Sequence, residues 1–316
     1  MPHTPAPTLV TGGAGFIGSS LVRALLDQGH VVSVVDQIPW SRAERLHELA
    51  TPGQLTYYQA DIRDAEQLRT FAPDHKVIYH LSSNTENRAD RAARTADFDI
   101  TTGGTVALLE ALVGHTGTTV VLTSSQLVYG RALDSTLLDE ETTVPRPTSR
   151  FAAGKLAAEA FLRAYGDELG LRTAVCRLSN IIGGQMRRGI VYDFVQRLAD
   201  DPHTITVLGD GRQDRSYLHI DDCVSALMTA AASADANCPV FNVSNLDTTT
   251  AAQVAQIVAE EFPHGHPAIS YTGGERGWKG DIPVLRVRPN ALTDRGWSPI
   301  HSSNDAVRVT AKSLFA

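Results

Sequence analysis

Cysteine is scarce, with three residues, Cys176, Cys223 and Cys238, in a chain of 316. Their spacing matches no metal-ligand pattern, and an odd, sparse count fits reduced core thiols rather than a disulfide framework or a zinc site. Long apolar runs are missing too, and none reaches the ~18 residues that a membrane span needs. Clustered basic charge is absent. The formal net charge is −7, and the runs Arg187-Arg188 and Arg286 to Arg288 are short, which excludes a general nucleic-acid surface. A few local arginines can still hold a phosphorylated ligand. Met1 to Pro7 contains three prolines and no charged start followed by an apolar stretch, so it reads as a frayed tail and not a signal peptide. The expectation is a cytoplasmic protein with no metal, no membrane and no nucleic acid among its partners.

What is present is a core-forming composition, 42% hydrophobic and 20% charged, in a chain long enough for one large α/β domain with a smaller lobe. Apolar strands alternate with helical patterns through the first half. Strands are expected at Thr8 to Thr11, Val31 to Asp36, Val77 to Leu81, Thr118 to Ser124 and Arg172 to Arg177. Helices are expected at Phe16 to Gln28, Ala65 to Phe71, Thr102 to Gly114 and Phe151 to Leu169. Such alternation, with continuously apolar strands, predicts a doubly wound parallel sheet of the Rossmann type with a cofactor at its carboxyl edge. Past residue 180 the pattern loosens into helices at Tyr192 to Asp200, Asp221 to Ala232 and Thr250 to Glu261, with short strands near Ile205 to Val207 and Val240 to Val243. The expected division is therefore residues 1–180 for the cofactor domain and 181–316 for a substrate lobe. The boundary is soft, because segments near 216–219 and 240–243 can return to the main sheet.

Thr11-Gly-Gly-Ala-Gly-Phe-Ile-Gly18 follows a strand and opens a helix, the setting in which a glycine spacing becomes informative. Gly12, Gly15 and Gly18 serve the tight turn, the close approach of a pyrophosphate and helix-to-strand packing, with Phe16 and Ile17 between them at the positive helix end. Asp36, ending the next strand, suits an adenosine ribose and repels a 2′-phosphate, which points to NAD and not NADP. Asp61-Ile62 fits a carboxylate and an apolar wall for the adenine, and Asp61 fits a cap for the next helix equally well.

Ser125 lies just past the fourth strand, where a hydroxyl can bridge a substrate oxygen to a general base or can serve only a turn. Positions 151 and 155 lie one turn apart on one helix face. Lysine at 155 would lower the pKa of a tyrosine at 151 enough for base catalysis near neutral pH, but position 151 is phenylalanine, which transfers no proton at any pH.

Six segments in family order carry a resemblance to the extended short-chain dehydrogenase/reductase family, and within it to the nucleotide-sugar epimerases and dehydratases. They are Thr11 to Gly18, His80-Leu-Ser-Ser83, Ser124 to Gly130, Arg177-Leu-Ser-Asn-Ile-Ile-Gly183, Gly209 to Asp222 and Gly277-Trp-Lys-Gly-Asp-Ile-Pro283. The resemblance implies that Lys155 bonds the nicotinamide ribose, that Leu81 and Ser82 join the cofactor site, and that Ser125 contacts the hydroxyl at carbon 4 of a hexose. It places Gln126 near the sugar, Asn180 and Arg215 on the nucleotide diphosphate, Asp281 near a uridine ribose and Arg276 on phosphate. The loop that holds Asn84 and Glu86 can reach the sugar as well, although loop polarity alone gives the same composition. For Arg215 a surface ion pair with Asp210 or Asp214 is the blander alternative, and the other motif residues favour the phosphate role over it. Where dehydratases carry carboxylates this chain has Gln126 and Leu127, which favours a 4-epimerase of a UDP-hexose or UDP-hexuronic acid over an elimination. A ketoreductase and a decarboxylase are the competing chemistries. A homodimer through the helices Thr102 to Gly114 and Phe151 to Leu169 is likewise implied, although covering the sheet demands the same apolar faces.

Three readings of Phe151 stay open. It is an introduced Tyr→Phe change that traps substrate, or the enzyme is naturally of this form and uses Ser125, Tyr129, Glu86 or His80 as base, or the protein binds NAD and a nucleotide sugar without turnover. His80, ending a strand, is expected to be a hydrogen-bonded structural histidine, and the ring of Tyr129 to pack beside the site.

Overall fold

The computed structural model describes residues 6–84, 95–131, 137–275, 277, 282 and 284–316. In chain order the elements begin β1 (Thr8–Thr11), α1 (Phe16–Asp27), β2 (Val32–Asp36), α2 (Glu44–His47), β3 (Leu55–Gln59), α3 (Ala65–Arg69) and β4 (Val77–His80). They continue with α4 (Gly104–Ala111), β5 (Thr119–Ser125), α5 (Arg150–Leu169), β6 (Arg172–Leu178), β7 (Asn180–Ile182), α6 (Ile190–Asp200), β8 (Thr204–Val207) and β9 (Asp214–Arg215). The last are β10 (Tyr217–His219), α7 (Ile220–Ala232), β11 (Val240–Val243), β12 (Thr249–Thr250), α8 (Ala251–Glu261), β13 (Ala268–Tyr271), β14 (Val284–Leu285), α9 (Asn290–Thr293) and α10 (Ser303–Phe315). Two compact units result. The first takes residues 1–128, 149–177 and 224–241, and the second takes 129–148, 178–223 and 242–316.

The first unit is built on a seven-stranded sheet in the order β11-β6-β5-β4-β1-β2-β3. Its ladders β3/β2, β2/β1, β1/β4 and β4/β5 are parallel. The central strands are apolar without alternation, because helices cover both faces of a parallel sheet. Leu9, Val10, Val34, Val35, Val120 and Val121 are fully enclosed. On one face Leu108, Leu109 and Leu112 after β4 meet Ala158 and Leu162 of α5 in the core formed with Leu9, Ile78, Val120 and Val175. The sheet is the expected one, and β11 lies at its margin beside β6. β10 instead pairs with β7 in a separate ladder.

The strand β3 at the other margin was not among the expected elements. Its residues Leu55, Tyr57 and Tyr58 are only half-buried, as suits an edge, so it lacks the apolar run that marks an interior strand. The helix expected at Thr102 is preceded by seven residues, Asp97–Gly103, wound as a π-helix that leads into α4. α5 packs closely on that segment, since a Cβ on Gly154 would lie 2.7 Å from the Asp97 carbonyl oxygen. Ser149 starts α5 by accepting the Ala152 N–H at 3.2 Å, and Gly170, at φ 65°, ends it.

In the second unit β7 pairs with β10, β9 lies between β12 and β14, and β8 pairs with β13. α6, α8 and α10 pack together. All three cysteines are buried, and none is in a disulfide. Among the described residues no helix is long and apolar enough to cross a membrane.

Candidate cofactor and catalytic site

The first unit gathers most of the candidate residues at the carboxyl ends of β1, β2, β4 and β5. Gly12 leaves β1 at φ 68°, and a Cβ there would sit 2.9 Å from the Ser82 nitrogen. A Cβ on Gly13 would lie 2.7 Å from Val34, and one on Gly18 would lie 2.3 Å from the Gly12 oxygen. Side chains at these positions would fill the cradle and push α1 off β1. Gly15 caps α1 without any side-chain bond, and the first turn carries no acidic residue. The N–H groups of that turn, flanked by half-exposed Phe16 and Ile17, are thus left for an anion.

Asp36 ends β2 and accepts N–H bonds from Ala14 at 3.2 Å and Ile38 at 3.4 Å. Burial raises its carboxyl above the usual range. The Tyr57 hydroxyl donates to the Ile38 carbonyl at 2.6 Å, and burial together with the Asp36 charge pushes that phenol up to about 12. Asp61 does not cap α3. Asp64 does, accepting the Gln67 N–H at 3.0 Å. The Asp61 carboxylate is instead gripped by Arg63 at 2.9 and 3.1 Å, which holds it below the usual range. Ile62 is buried in the hydrophobic core and packs against Gly104.

His80 closes a chain of bonds between β1, β4 and the π-helical turn before α4. Thr105 donates its hydroxyl to the Thr101 carbonyl at 2.7 Å, so its oxygen accepts from His80 Nε2–H at 2.9 Å. Nδ1 is then the acceptor of the Thr11 hydroxyl at 2.8 Å. Thr11 Oγ1 in turn accepts the N–H groups of Leu81 at 3.2 Å and Ser82 at 3.1 Å. Burial, then the charge of Lys155, pushes the imidazole down to about 3. A ring with both nitrogens engaged and no affinity for a proton near neutral pH is a structural group. Asn84 donates its side-chain N–H to Asp97 at 3.0 Å, and its backbone N–H goes to Thr101.

At the end of β5, Ser125 is half-buried and its Oγ accepts the Leu127 N–H at 3.2 Å, which leaves its own hydroxyl proton to donate elsewhere. Gln126 is buried, and its Oε1 accepts no bond among the described residues. Phe151 lies in the first turn of α5, half-buried. Lys155, one turn on, is 4% exposed and donates from Nζ to the Thr123 carbonyl at 2.6 Å. Burial pushes its ammonium down to about 8, and the carboxylate of Glu159 works in the opposite direction. Glu159 and its partner Arg177 were not singled out from sequence as site residues. The signal for Glu159 was the i, i+4 spacing from Lys155 on the same helix face.

In the second unit Tyr129 is buried and donates its hydroxyl to Asn242 Oδ1 at 2.8 Å. Asn180 opens β7, and Arg215 lies in β9, donating to the Asp214 carbonyl at 3.0 Å. The Asp214 carboxylate is taken by Arg286. Arg187 and Arg188 are exposed. Arg276, Asp281 and Glu86 lie outside the described residues.

Residues 8–244 match the family described as the NAD dependent epimerase/dehydratase family. The chain is 34% identical over 275 residues to a UDP-glucose 4-epimerase of Mycolicibacterium smegmatis, covering 82% of this chain and 85% of that protein. Among solved structures it is similar to a UDP-galactose 4-epimerase, with a TM-score of 0.82 and 31% identity over 98% of both chains. It is also similar to the Thermus thermophilus UDP-glucose 4-epimerase in complex with NAD, with a TM-score of 0.81 and 28% identity over 98% of both chains.

Proposed function

We propose, for a chain that belongs to the NAD dependent epimerase/dehydratase family, that it acts on a UDP-hexose or UDP-hexuronic acid as a 4-epimerase passing through a 4-keto sugar. The cofactor of the family is NAD, and the residues present fit it. The glycine cradle has no room for side chains, the start of α1 is uncapped, and Asp36 presents a carboxylate where a ribose would lie. When bound, NAD supplies a hydride acceptor at sugar carbon 4 that returns the hydride within one turnover.

The observation that carries the proposal is the pairing at the end of β5. Lys155 is anchored on Thr123, two residues before Ser125, while Gln126 and Leu127 occupy the positions at which the family resemblance puts the carboxylates of dehydratases. Ser125 would hold the oxygen on carbon 4 through a hydrogen bond from its hydroxyl, while the proton that leaves this oxygen with the hydride needs a base, which Phe151 does not supply. The buried ammonium of Lys155 supplies fixed positive charge beside the cofactor ribose. Neither glutamine nor leucine can remove a proton from carbon 5 or protonate a leaving hydroxyl, so the sugar keeps all its oxygens. Asn180 and Arg215 of the second unit are assigned to the diphosphate, with Arg276 and Asp281 completing the nucleotide contacts. The exposed side of α5 carries Ala153, Ala160, Phe161 and Ala164, and we assign it to a two-fold homodimer contact.

Phe151 limits the rate. A positioned acid/base group supplies ~10²- to 10⁴-fold, and of the replacement bases considered among the described residues, His80 and Tyr129 are committed to structural bonds. The absent phenol also favours a second reading, in which the protein binds NAD and a nucleotide sugar without turnover. Proton NMR of the anomeric signals, with NAD and a panel of UDP-sugars, decides between them when the chain and its Phe151→Tyr variant are compared. Conversion by the tyrosine form alone is the expected result. Equal conversion by both assigns the base to another residue, and conversion by neither moves the binding reading ahead. Net consumption of NADH or release of carbon dioxide would mark the ketoreductase or the decarboxylase instead.

A further inference from the structure

Behind Lys155 lies a buried ionic cluster drawn from three separate elements. Arg177 of β6 grips Glu159 of α5 with both arms of its guanidinium, Nε at 3.1 Å from Oε1 and Nη2 at 2.7 Å from Oε2. Ser124 of β5 donates its hydroxyl to Oε1 of the same carboxylate. Lys155, Glu159, Arg177 and Ser124 are each less than a tenth exposed. A buried ion pair of this kind contributes little net stability compared with apolar residues of similar volume. Its retention calls for another role.

The charges supply one. Lys155 is enclosed beside the Glu159 carboxylate, so loss of Glu159 would remove the buried negative charge that acts on its ammonium. Among the described residues, the titratable groups on the neighbouring elements do not replace it. His80 of β4 is neutral. Asp97, on the π-helical segment packed against Gly154, is engaged by Asn84, with Arg150 at 3.9 Å. Cys238 is a buried thiol whose pKa is raised by burial. The carboxylate whose charge acts on Lys155 is that of Glu159.

The same residues also fix position. Lys155 and Glu159 lie one helical turn apart and bind two consecutive residues of β5, Thr123 through its carbonyl and Ser124 through its hydroxyl. Two clamps on adjacent residues set both the distance and the register of α5 against the strand end immediately before Ser125.

We infer that Glu159, held by Arg177 and Ser124, is a positioning residue that keeps the Lys155 ammonium protonated and seated at the end of β5. The value of that ammonium to the chemistry rests on the function proposed above. The charge coupling itself does not.

The chain has only four lysines, Lys76, Lys155, Lys279 and Lys312, which makes a direct test practical. Carbon-13 labelling of lysine, with Lys155 assigned by a Lys155→Met variant, lets the ammonium be titrated by NMR in the intact protein without substrate or turnover. In Glu159→Gln the proton affinity of Lys155 is expected to fall at least about tenfold, the lower end of the effect of an adjacent opposite charge. Because Glu159→Gln removes the carboxylate that Arg177 grips, the double variant Glu159→Gln/Arg177→Met provides a form without that guanidinium, and the same downward displacement is expected there. A folded variant of either kind in which Lys155 titrates as in the parent protein would overturn the inference and leave the pair a purely structural one. Failure of the Phe151→Tyr turnover assay would count against the epimerase reading and leave this titration unaffected.

Discussion

Lowering the pH should cost this protein stability through His80, by an amount that follows from its surroundings. In the unfolded chain the imidazole titrates near 6.5, and in the fold burial pushes it down to about 3. Between those values the unfolded state binds a proton that the folded state refuses, so stability rises with pH through the window and is lost as pH falls from about 6.5 toward about 3. From about pH 7 to about pH 4.5 the group spans close to two pH units below its unfolded value, which is a loss of about 2.5 kcal/mol. Replacing His80 by Gln, which can still donate toward Thr105 and accept from Thr11, removes the titration while keeping both kinds of bond. Urea unfolding of the parent and the His80→Gln variant at the two pH values isolates the effect, since every other titrating group is shared. The variant is expected to be less stable at neutral pH but to lose about 2.5 kcal/mol less on acidification. Equal losses in the two proteins would refute the reasoning, as would an imidazole signal assigned to His80 that titrates near 6.5 in the folded state.

Two further outcomes are expected. Gly18→Ala places a Cβ 2.3 Å from the Gly12 oxygen, so NAD affinity followed by fluorescence should fall at least about tenfold, with about 1–3 kcal/mol lost from stability; unchanged NAD affinity would show that the glycine turn is not the cofactor cradle. Phe161→Glu should bring the sedimenting species down to the mass of one chain, and a parent protein that already sediments as a single chain would remove α5 from any two-fold contact.

The legible part of this fold is the part that repeats locally. β1, β2, β4 and β5 announce themselves because burial on both faces demands continuous apolar residues, and α5 because twenty residues run from a serine cap to a glycine stop. β3 escaped notice because an edge strand with half-buried tyrosines carries no such run. α10 escaped as well, since Ser303–Phe315 mixes small, polar and charged residues and its start rests on a single serine cap at Ser302. The same division holds in the candidate site. The glycine turn and the 151/155 spacing are local and visible. The bonds from Thr11 to His80 and from Glu159 to Arg177 depend on β1 lying beside β4 and on β6 lying near α5, adjacencies that become evident only once the strand order is known.

The chain enters each unit more than once, and this bears on how such a protein can be divided or recombined. Residues 224–241 belong with the first unit although they follow the whole of the segment 178–223 that belongs with the second. A cut after residue 180 would strip β11 from the sheet, leave β6 as a bare edge, and deprive the Val175 N–H of the Pro239 carbonyl that it meets at 2.9 Å. Swapping the downstream half for that of a relative would therefore import a foreign sheet strand along with any new sugar preference. No single crossover point along the chain separates one unit from the other.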